Sequence, residues 1–297
     1  MIRPRLFVPL VLVLFLLAAG CSDRSSRSEP SPSPSATATT PATASRTPAT
    51  ATPTATASPT TPPPSDTPTP VPPTATPTTP SQPATGQVIM HGDRSSAQIA
   101  LTFDMGGRVD PALDIMNWLI SNDIHATIFM TGAMAANQNT EAGRDVLRLL
   151  DAHTSQFALG NHSYSHPDFR ELSGDAMRDE LARTDAAMAP YTSVDARPLF
   201  RPPFGGQDET VVAEVAVAGY TRVIMWDIDT IDWRPESEGG PTADDIVQKV
   251  LANAQGGSIV LMHLGGFNTF DALPAMVDGL RARGFEFVTV REMLGLD

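Results

Sequence analysis

The side chains best suited to chemistry are a few acids, three imidazoles and one arginine, each at the edge of an apolar run. Asp104 closes the run 97–103 and precedes, after Met105, the glycine pair Gly106 and Gly107, so its carboxylate stands at the mouth of a strand. His162 and His166 are four residues apart, a spacing that within one helical turn sets two imidazoles side by side. Paired imidazoles suit zinc, cobalt or nickel. The same spacing before Pro167 also fits a plain surface turn. Arg201 follows the run 197–200, where it can bridge to an acid. Asp227, Asp229 and Asp232 cluster after 221–226, and His263 ends the very apolar Ser258–Met262. By itself a histidine in that place also fits a hydrogen-bonded core residue.

These groups need a frame. Short β-rich runs near 97–103, 125–131, 156–160, 197–200, 221–226, 257–262 and 285–289 alternate with segments of helical period. The helical segments are Pro111–Ser121, Glu141–His153, Asp175–Ala189, Glu209–Ala218, Ala243–Ala254 and Ala272–Arg283, with caps at Thr140, Ser173 and Thr242. Strands alternating with helices predict an α/β fold with a parallel sheet, either open and doubly wound or closed into a barrel. Reactive side chains fall at the carboxyl ends of at least five of these runs. One face can gather them all only if the sheet curls, which favours a barrel.

Five strings in order carry a resemblance. Thr102-Phe103-Asp104-Met105-Gly106, His162-Ser163-Tyr164-Ser165-His166, Arg201-Pro202-Pro203-Phe204-Gly205, Asp229-Thr230-Ile231-Asp232-Trp233 and Leu261-Met262-His263 resemble the five motifs of the polysaccharide deacetylases, carbohydrate esterase family four. The likeness spans nearly all of 97–294. It implies a distorted (β/α) barrel of seven or eight parallel strands, a bound divalent metal, most simply Zn2+ with Co2+ or Ni2+ as alternatives, and removal of acetyl groups from N-acetylated polysaccharide. It further implies His162 and His166 as metal ligands and Asp104 as the general base. Arg201 would hold that base ionised through a bidentate contact, and His263 would be the general acid. Asp229 would orient His263 and raise its pKa, with Asp232 or Asp227 as alternatives in that role. Trp233 and Leu261 would shape the pocket for the acetyl methyl group. Phe204 stands where the family often has tyrosine, and its backbone N–H would stabilise the oxyanion.

One position departs from the pattern. Met105 stands where the family usually has a second aspartate, the third protein ligand of the metal. A thioether is a poor substitute for a carboxylate on zinc. Three arrangements follow: His162 and His166 hold the metal with added waters, Asp110 from the same loop fills the gap, or the domain has lost its metal. The last would make the protein a non-catalytic glycan-binding lipoprotein. A third class, an amidohydrolase acting on small amides or imides, shares the barrel.

The rest of the chain says where such a domain would work. Arg3 and Arg5 precede an apolar run of 12 residues, Leu6 to Leu17, and Ala18-Ala19-Gly20 lead into Cys21. The run is too short to span a bilayer comfortably and reads as a signal peptide over 1–20, with Leu17-Ala18-Ala19-Gly20-Cys21 resembling a bacterial lipobox. Cys21 is the only cysteine, which excludes disulfides within the monomer and fits acylation. Residues 21–86 are dominated by Pro, Thr, Ser and Ala and have too little apolar surface to fold, so they read as a disordered spacer. At ~3.1 Å per residue that spacer reaches at most roughly 200 Å. Residues 87–297 carry 15 basic and 30 acidic side chains, a charge that repels phosphate backbones and excludes nucleic acid as a partner. The expected partners are an extracytoplasmic polysaccharide and the membrane that holds acylated Cys21, with the domain itself a monomer at the cell surface or periplasmic face. Cys21→Ser should therefore release the protein from membranes or block its processing. A mutant that fractionates with membranes like the wild type would overturn the lipobox reading.

Overall fold

The computed structural model of the protein describes residues 85–296. The signal peptide expected over 1–20, the lipidated Cys21 and the spacer over 21–86, save Thr85 and Gly86, lie outside the described residues. Among the described residues nine strands form one sheet: β1 (Gln87–Ile89), β2 (Gln98–Met105), β3 (Ala126–Met130), β4 (Phe157–Asn161), β5 (Leu199–Phe200), β6 (Arg222–Ile224), β7 (Ile228–Asp229), β8 (Ser258–His263) and β9 (Glu286–Phe287). Eight helices accompany them: α1 (Ala112–Ser121), α2 (Gly132–Ala136), α3 (Ala142–Ala152), α4 (Gly174–Met188), α5 (Glu209–Val217), α6 (Ala243–Asn253), α7 (Thr269–Ala282) and α8 (Val290–Met293).

Every pairing in the sheet is parallel, in the order β1-β6-β5-β4-β3-β2-β8-β7, with β9 beside the start of β2. Only Met225, Trp226 and Asp227 separate β6 from β7, yet the two lie far apart along that order. So short a link forces the sheet to curl until those strands approach, which makes the incomplete β/α barrel. Parallel strands covered on both faces read as nearly continuous apolar runs, and β2 shows how the faces divide. Ile99, Leu101, Phe103 and Met105 join the large core shared with the helices. Ala100 joins a smaller core with Phe129, Ala158, Leu199, Ile224 and Ile259, one residue from each of six strands, and Val290 of α8 completes it. That smaller core fills the barrel, and Asp104 continues its side of β2.

All seven expected runs form strands. β1 and β7 were not legible because two or three residues show no period, and α2 and α8 were too short for the same reason. Ser173 and Thr242 cap α4 and α6 as expected, Thr242 in a capping box with Asp245. Thr140 acts one residue further out: its hydroxyl accepts the Ala142 N–H, while Glu141 occupies the cap position of α3. α7 starts at Thr269, ahead of the expected Ala272, behind Asn268 in the left-handed conformation. No helix among the described residues is long and apolar enough to cross a membrane.

Candidate active site

Register decides which reactive groups meet. Asp104 of β2 and His263 of β8 are direct Cα partners, and Met130, Asn161 and Phe200 align across β3, β4 and β5, so Asn161 and Arg201 arrive at the same level. Asp104, His162 and Arg201 are all buried there. Arg201 Nη1 donates to Asp104 Oδ1 at 2.8 Å. Its other donors go to the end of β6, Nε to the Ile224 carbonyl at 3.2 Å and Nη2 to that of Met225 at 3.3 Å. The bidentate contact expected from sequence is therefore a single bond, because the seam of the barrel takes the rest of the guanidinium. Burial disfavours the Asp104 carboxylate, but the Arg201 charge, then His162 and His263, outweigh it and hold its pKa below the usual carboxylate range.

His162 and His166 do meet, with ring centroids 4.9 Å apart and nearly edge to face. No helical turn brings them together: Ser163 and His166 have φ of 66° and 62°, a left-handed turn that leaves β4. Burial outweighs the pull of Asp104 and keeps His162 neutral. Its Nδ1 lies 2.8 Å from the Arg201 carbonyl, an acceptor only, so Nδ1 carries the proton and Nε2 is bare. That Nε2 faces Asp104 Oδ2 at 3.4 Å. An unprotonated nitrogen and a carboxylate oxygen set face to face call for a cation beside them. His166 is also neutral, its pKa pushed down to about 4 by burial and then by His162.

Two such nitrogens suit a divalent transition metal. Its third usual donor is missing: among the described residues no group of three or more His, Cys, Asp or Glu is arranged to hold an ion. Met105 belongs to the outer core at 1% exposure, on the opposite side of β2 from Asp104. Asp110, the substitute ligand considered from sequence, has a side chain 81% exposed and pairs with Arg108 at 3.5 Å. The fit to a metal is thus that of a two-imidazole site.

The partner of His263 is Asp232, and the orienting role expected for Asp229 is corrected accordingly. His263 Nδ1 lies 2.7 Å from Asp232 Oδ1, while its backbone N–H and the Thr269 hydroxyl both donate to Oδ2, at 2.9 and 2.6 Å. Asp229 instead accepts the Ile231 N–H at 2.8 Å. Ile231 has φ 61°, which a β-branched residue adopts only at a cost of order 1–3 kcal/mol. That turn reverses the chain so that Asp232 and not Asp229 reaches the imidazole. Burial lowers the pKa of His263, but the hydrogen bond and charge of Asp232, with Asp104 and Asp229 behind it, raise it overall. Asp227, the other alternative, lies away from His263, held by Arg94, Ser258 and the Ile259 N–H. Gly266 permits the close approach, since a Cβ there would stand 2.3 Å from Asp232 Oδ2.

Asp104, both imidazoles of the turn and His263 line one cavity of about 610 Å³. Leu261 lies deep in its wall, while Phe204 and Trp233 stand at the rim, 71% and 51% exposed. Phe204 takes φ 58° and packs its ring edge to face on His166 at 4.6 Å. Trp226, Thr269 and Gly266 were not singled out from sequence; they belong to no string of reactive residues, and only the folded loops bring them to the site.

Comparison with known proteins gives a consistent set of relatives. The family model for polysaccharide deacetylases matches residues 91–223. A peptidoglycan-N-acetylglucosamine deacetylase of Bacillus cereus is 29% identical over 208 residues, 68% of this chain and 70% of its own length. One from Listeria monocytogenes is 29% identical over 202 residues, 68% of this chain but only 40% of the relative. Among solved structures, the mutant of a Bacillus anthracis family 4 carbohydrate esterase pseudoenzyme, with restored enzymatic activity, superposes with TM-score 0.60 at 30% identity, covering 72% of each chain.

The charge arrangement around His263 has a direct readout. Asp232→Asn removes the charge that offsets burial, so the His263 pKa should fall, and the imidazolium should be lost at lower pH than in the wild type. Histidine ring titration by NMR checks this. Asp229→Asn should move it less, and a larger effect from Asp229 would reverse the assignment.

Proposed function

This chain belongs to the polysaccharide deacetylases of carbohydrate esterase family 4, and from that membership we propose that it hydrolyses the N-acetyl groups of a cell-wall polysaccharide, peptidoglycan in the first instance, outside the cytoplasm. The observation that carries the reading is the pairing of Asp104 with His263 on adjacent strands, each biased to the opposite charge state at the mouth of one cavity. A base must be ionised and an acid protonated at the same pH, and separate counter-charges achieve both.

In this mechanism Asp104, kept ionised by Arg201, accepts the proton of the attacking water. His263, kept protonated by Asp232, gives its proton to the departing amine of the sugar. The Phe204 backbone N–H faces the carbonyl oxygen as negative charge develops on it, and Leu261 borders the acetyl methyl group with Trp233 above it. His162 and His166 would hold a divalent metal, Zn2+ by donor type, whose Lewis acidity would polarise the water and the carbonyl. The lipid anchor at Cys21 and the spacer would place this domain at a distance from the membrane, within reach of an extended polymer.

A second reading has its own support: Met105 removes a carboxylate from the metal site, and a family 4 pseudoenzyme is among the similar structures. Acetate release from N-acetylated peptidoglycan or chito-oligosaccharide by the Zn2+-loaded chain decides between them. Asp104→Asn and His263→Ala should each reduce release by about 10²–10⁴-fold and leave glycan binding nearly unchanged. The pH profile should be bell-shaped, its acid limb set by Asp104 and its basic limb by His263. Glycan binding with no release from any substrate would establish the non-catalytic reading. Met105→Asp should tighten Zn2+ binding by more than about tenfold, measured by calorimetry, when the strand end turns the new carboxylate out of the core and into the cavity. An unchanged Kd would mean that the new carboxylate stays in the core position of Met105.

A further inference from the structure

The turn Ser163–His166, which carries the second imidazole, sends none of its own amide N–H groups to a backbone carbonyl. Each of its four N–H groups ends on a side chain. Ser163 N donates to Asn161 Oδ1 at 2.9 Å, and His166 N to Ser163 Oγ at 3.0 Å. The two between them, Tyr164 N and Ser165 N, both donate to Glu180 Oε2, at 2.8 and 2.7 Å. The other oxygen of Glu180 accepts the Ser165 hydroxyl at 2.9 Å. On the opposite side, the Ser163 and Tyr164 carbonyls accept from Gly132 N and Ala133 N at the start of α2.

Glu180 is an unusual residue for its place. It is 7% exposed, on the face of α4 that otherwise buries Met177, Leu181, Thr184 and Met188. A carboxylate on such a stripe is costly unless it is fully partnered, and three of its four partners belong to this one turn. The fourth, Arg183 Nη1 at 3.5 Å, also lies with its guanidinium 3.9 Å over the Tyr164 ring. Helix α4 therefore grips the turn twice.

We infer that Glu180 is a positioning residue, clamping the left-handed turn that delivers the His166 imidazole beside His162. The two histidines are held independently. His162 is fixed by the Arg201 carbonyl on its ring and the Met130 carbonyl on its N–H, neither of which involves Glu180. Loss of Glu180 leaves two amides of a strained turn without acceptors, so the turn relaxes and His166 moves while His162 stays. The consequence for deacetylation rests on the function proposed above; the consequence for the His166 ring does not.

The test uses the full chain with ¹⁵N-labelled histidine, as wild type, Glu180→Ala, Glu180→Gln and the control Asp179→Asn. Asp179 precedes Glu180, pairs only with Arg183 and has a side chain 65% exposed. In metal-free protein, Glu180→Ala should shift the His166 ring signals, which the Phe204 ring 4.6 Å away makes sensitive to displacement, and move those of His162, 4.9 Å from the His166 ring, less. Zn2+ affinity by calorimetry should weaken about 10–100-fold, as loss of an outer support typically does. The kcat for acetate release should fall to a similar degree with KM little changed. Glu180→Gln keeps one carbonyl acceptor and should fall between; it decides the matter if Glu180→Ala does not fold. Asp179→Asn should match the wild type. Wild-type His166 signals and Zn2+ affinity in a folded Glu180→Ala or Glu180→Gln protein would overturn the inference. If the wild type neither binds Zn2+ nor releases acetate, the deacetylase reading fails by itself, and the His166 ring signals alone decide the role of Glu180.

Discussion

A fully buried guanidinium is tolerable only when its charge is matched and its N–H groups find acceptors, and the position of Arg201 organises the site around that requirement. Removing a buried ion from water costs several kcal/mol, which a partner in good geometry can offset. Arg201 meets the demand with one oxygen of Asp104 on β2 and two carbonyls at the end of β6, and the Phe129 ring lies 4.1 Å from its guanidinium carbon. It thereby ties β5 to strands on both sides and to the seam where the sheet curls. The same contacts spend only one oxygen of Asp104. The other is left toward His162, so the interaction that closes the barrel top also leaves a charged oxygen free for chemistry. Among the described residues no side-chain nitrogen or oxygen that is wholly shut off from solvent lacks a hydrogen-bond partner.

From that ion pair the electrostatics divide into two halves. Asp104 is pulled toward ionisation by cations and imidazoles, while His263, its neighbour in register, is pulled toward protonation by Asp232. An aspartate and a histidine already differ in ordinary pKa, about 3.9 against about 6.5. Separate counter-ions push their pKa values in opposite directions, the arrangement an acid and a base need in order to act together. Asp232 performs this role because its carboxylate accepts from two atoms of His263 and from Thr269, with Gly266 leaving space beside it. The strained Ile231 backbone is what turns it inward.

The two-imidazole corner proposed for a metal is less complete than the proposed acid–base pair. Two neutral imidazoles converge beside an ionised carboxylate, yet β2 turns Met105 outward into the helix-packed core. Successive side chains on a strand point to opposite faces, so a methionine after Asp104 gains more from the core than from the cavity. The consequence is a site whose positioning relies on outer supports, the Arg201 carbonyl for His162 and the Glu180 clamp for His166.

Much of this was legible in the residues themselves. Runs such as 97–103 and 257–262 become strands because period, β-propensity and terminal glycines are local properties that need no partner. Placing reactive side chains after those runs already implied one converging face, and with it the barrel. The choice among Asp227, Asp229 and Asp232 was not legible, since the three differ only in the path of a turn whose left-handed Ile231 no propensity favours. Nor was the clamp on His166, because Glu180 reads as one more acid on an amphipathic helix until the fold sets it beside the amides of Tyr164 and Ser165. Sequence determines what each short segment can become and which residue types are available for chemistry. Only the tertiary structure, through strand register and the need to pair every buried charge and amide, decided which of those residues touch.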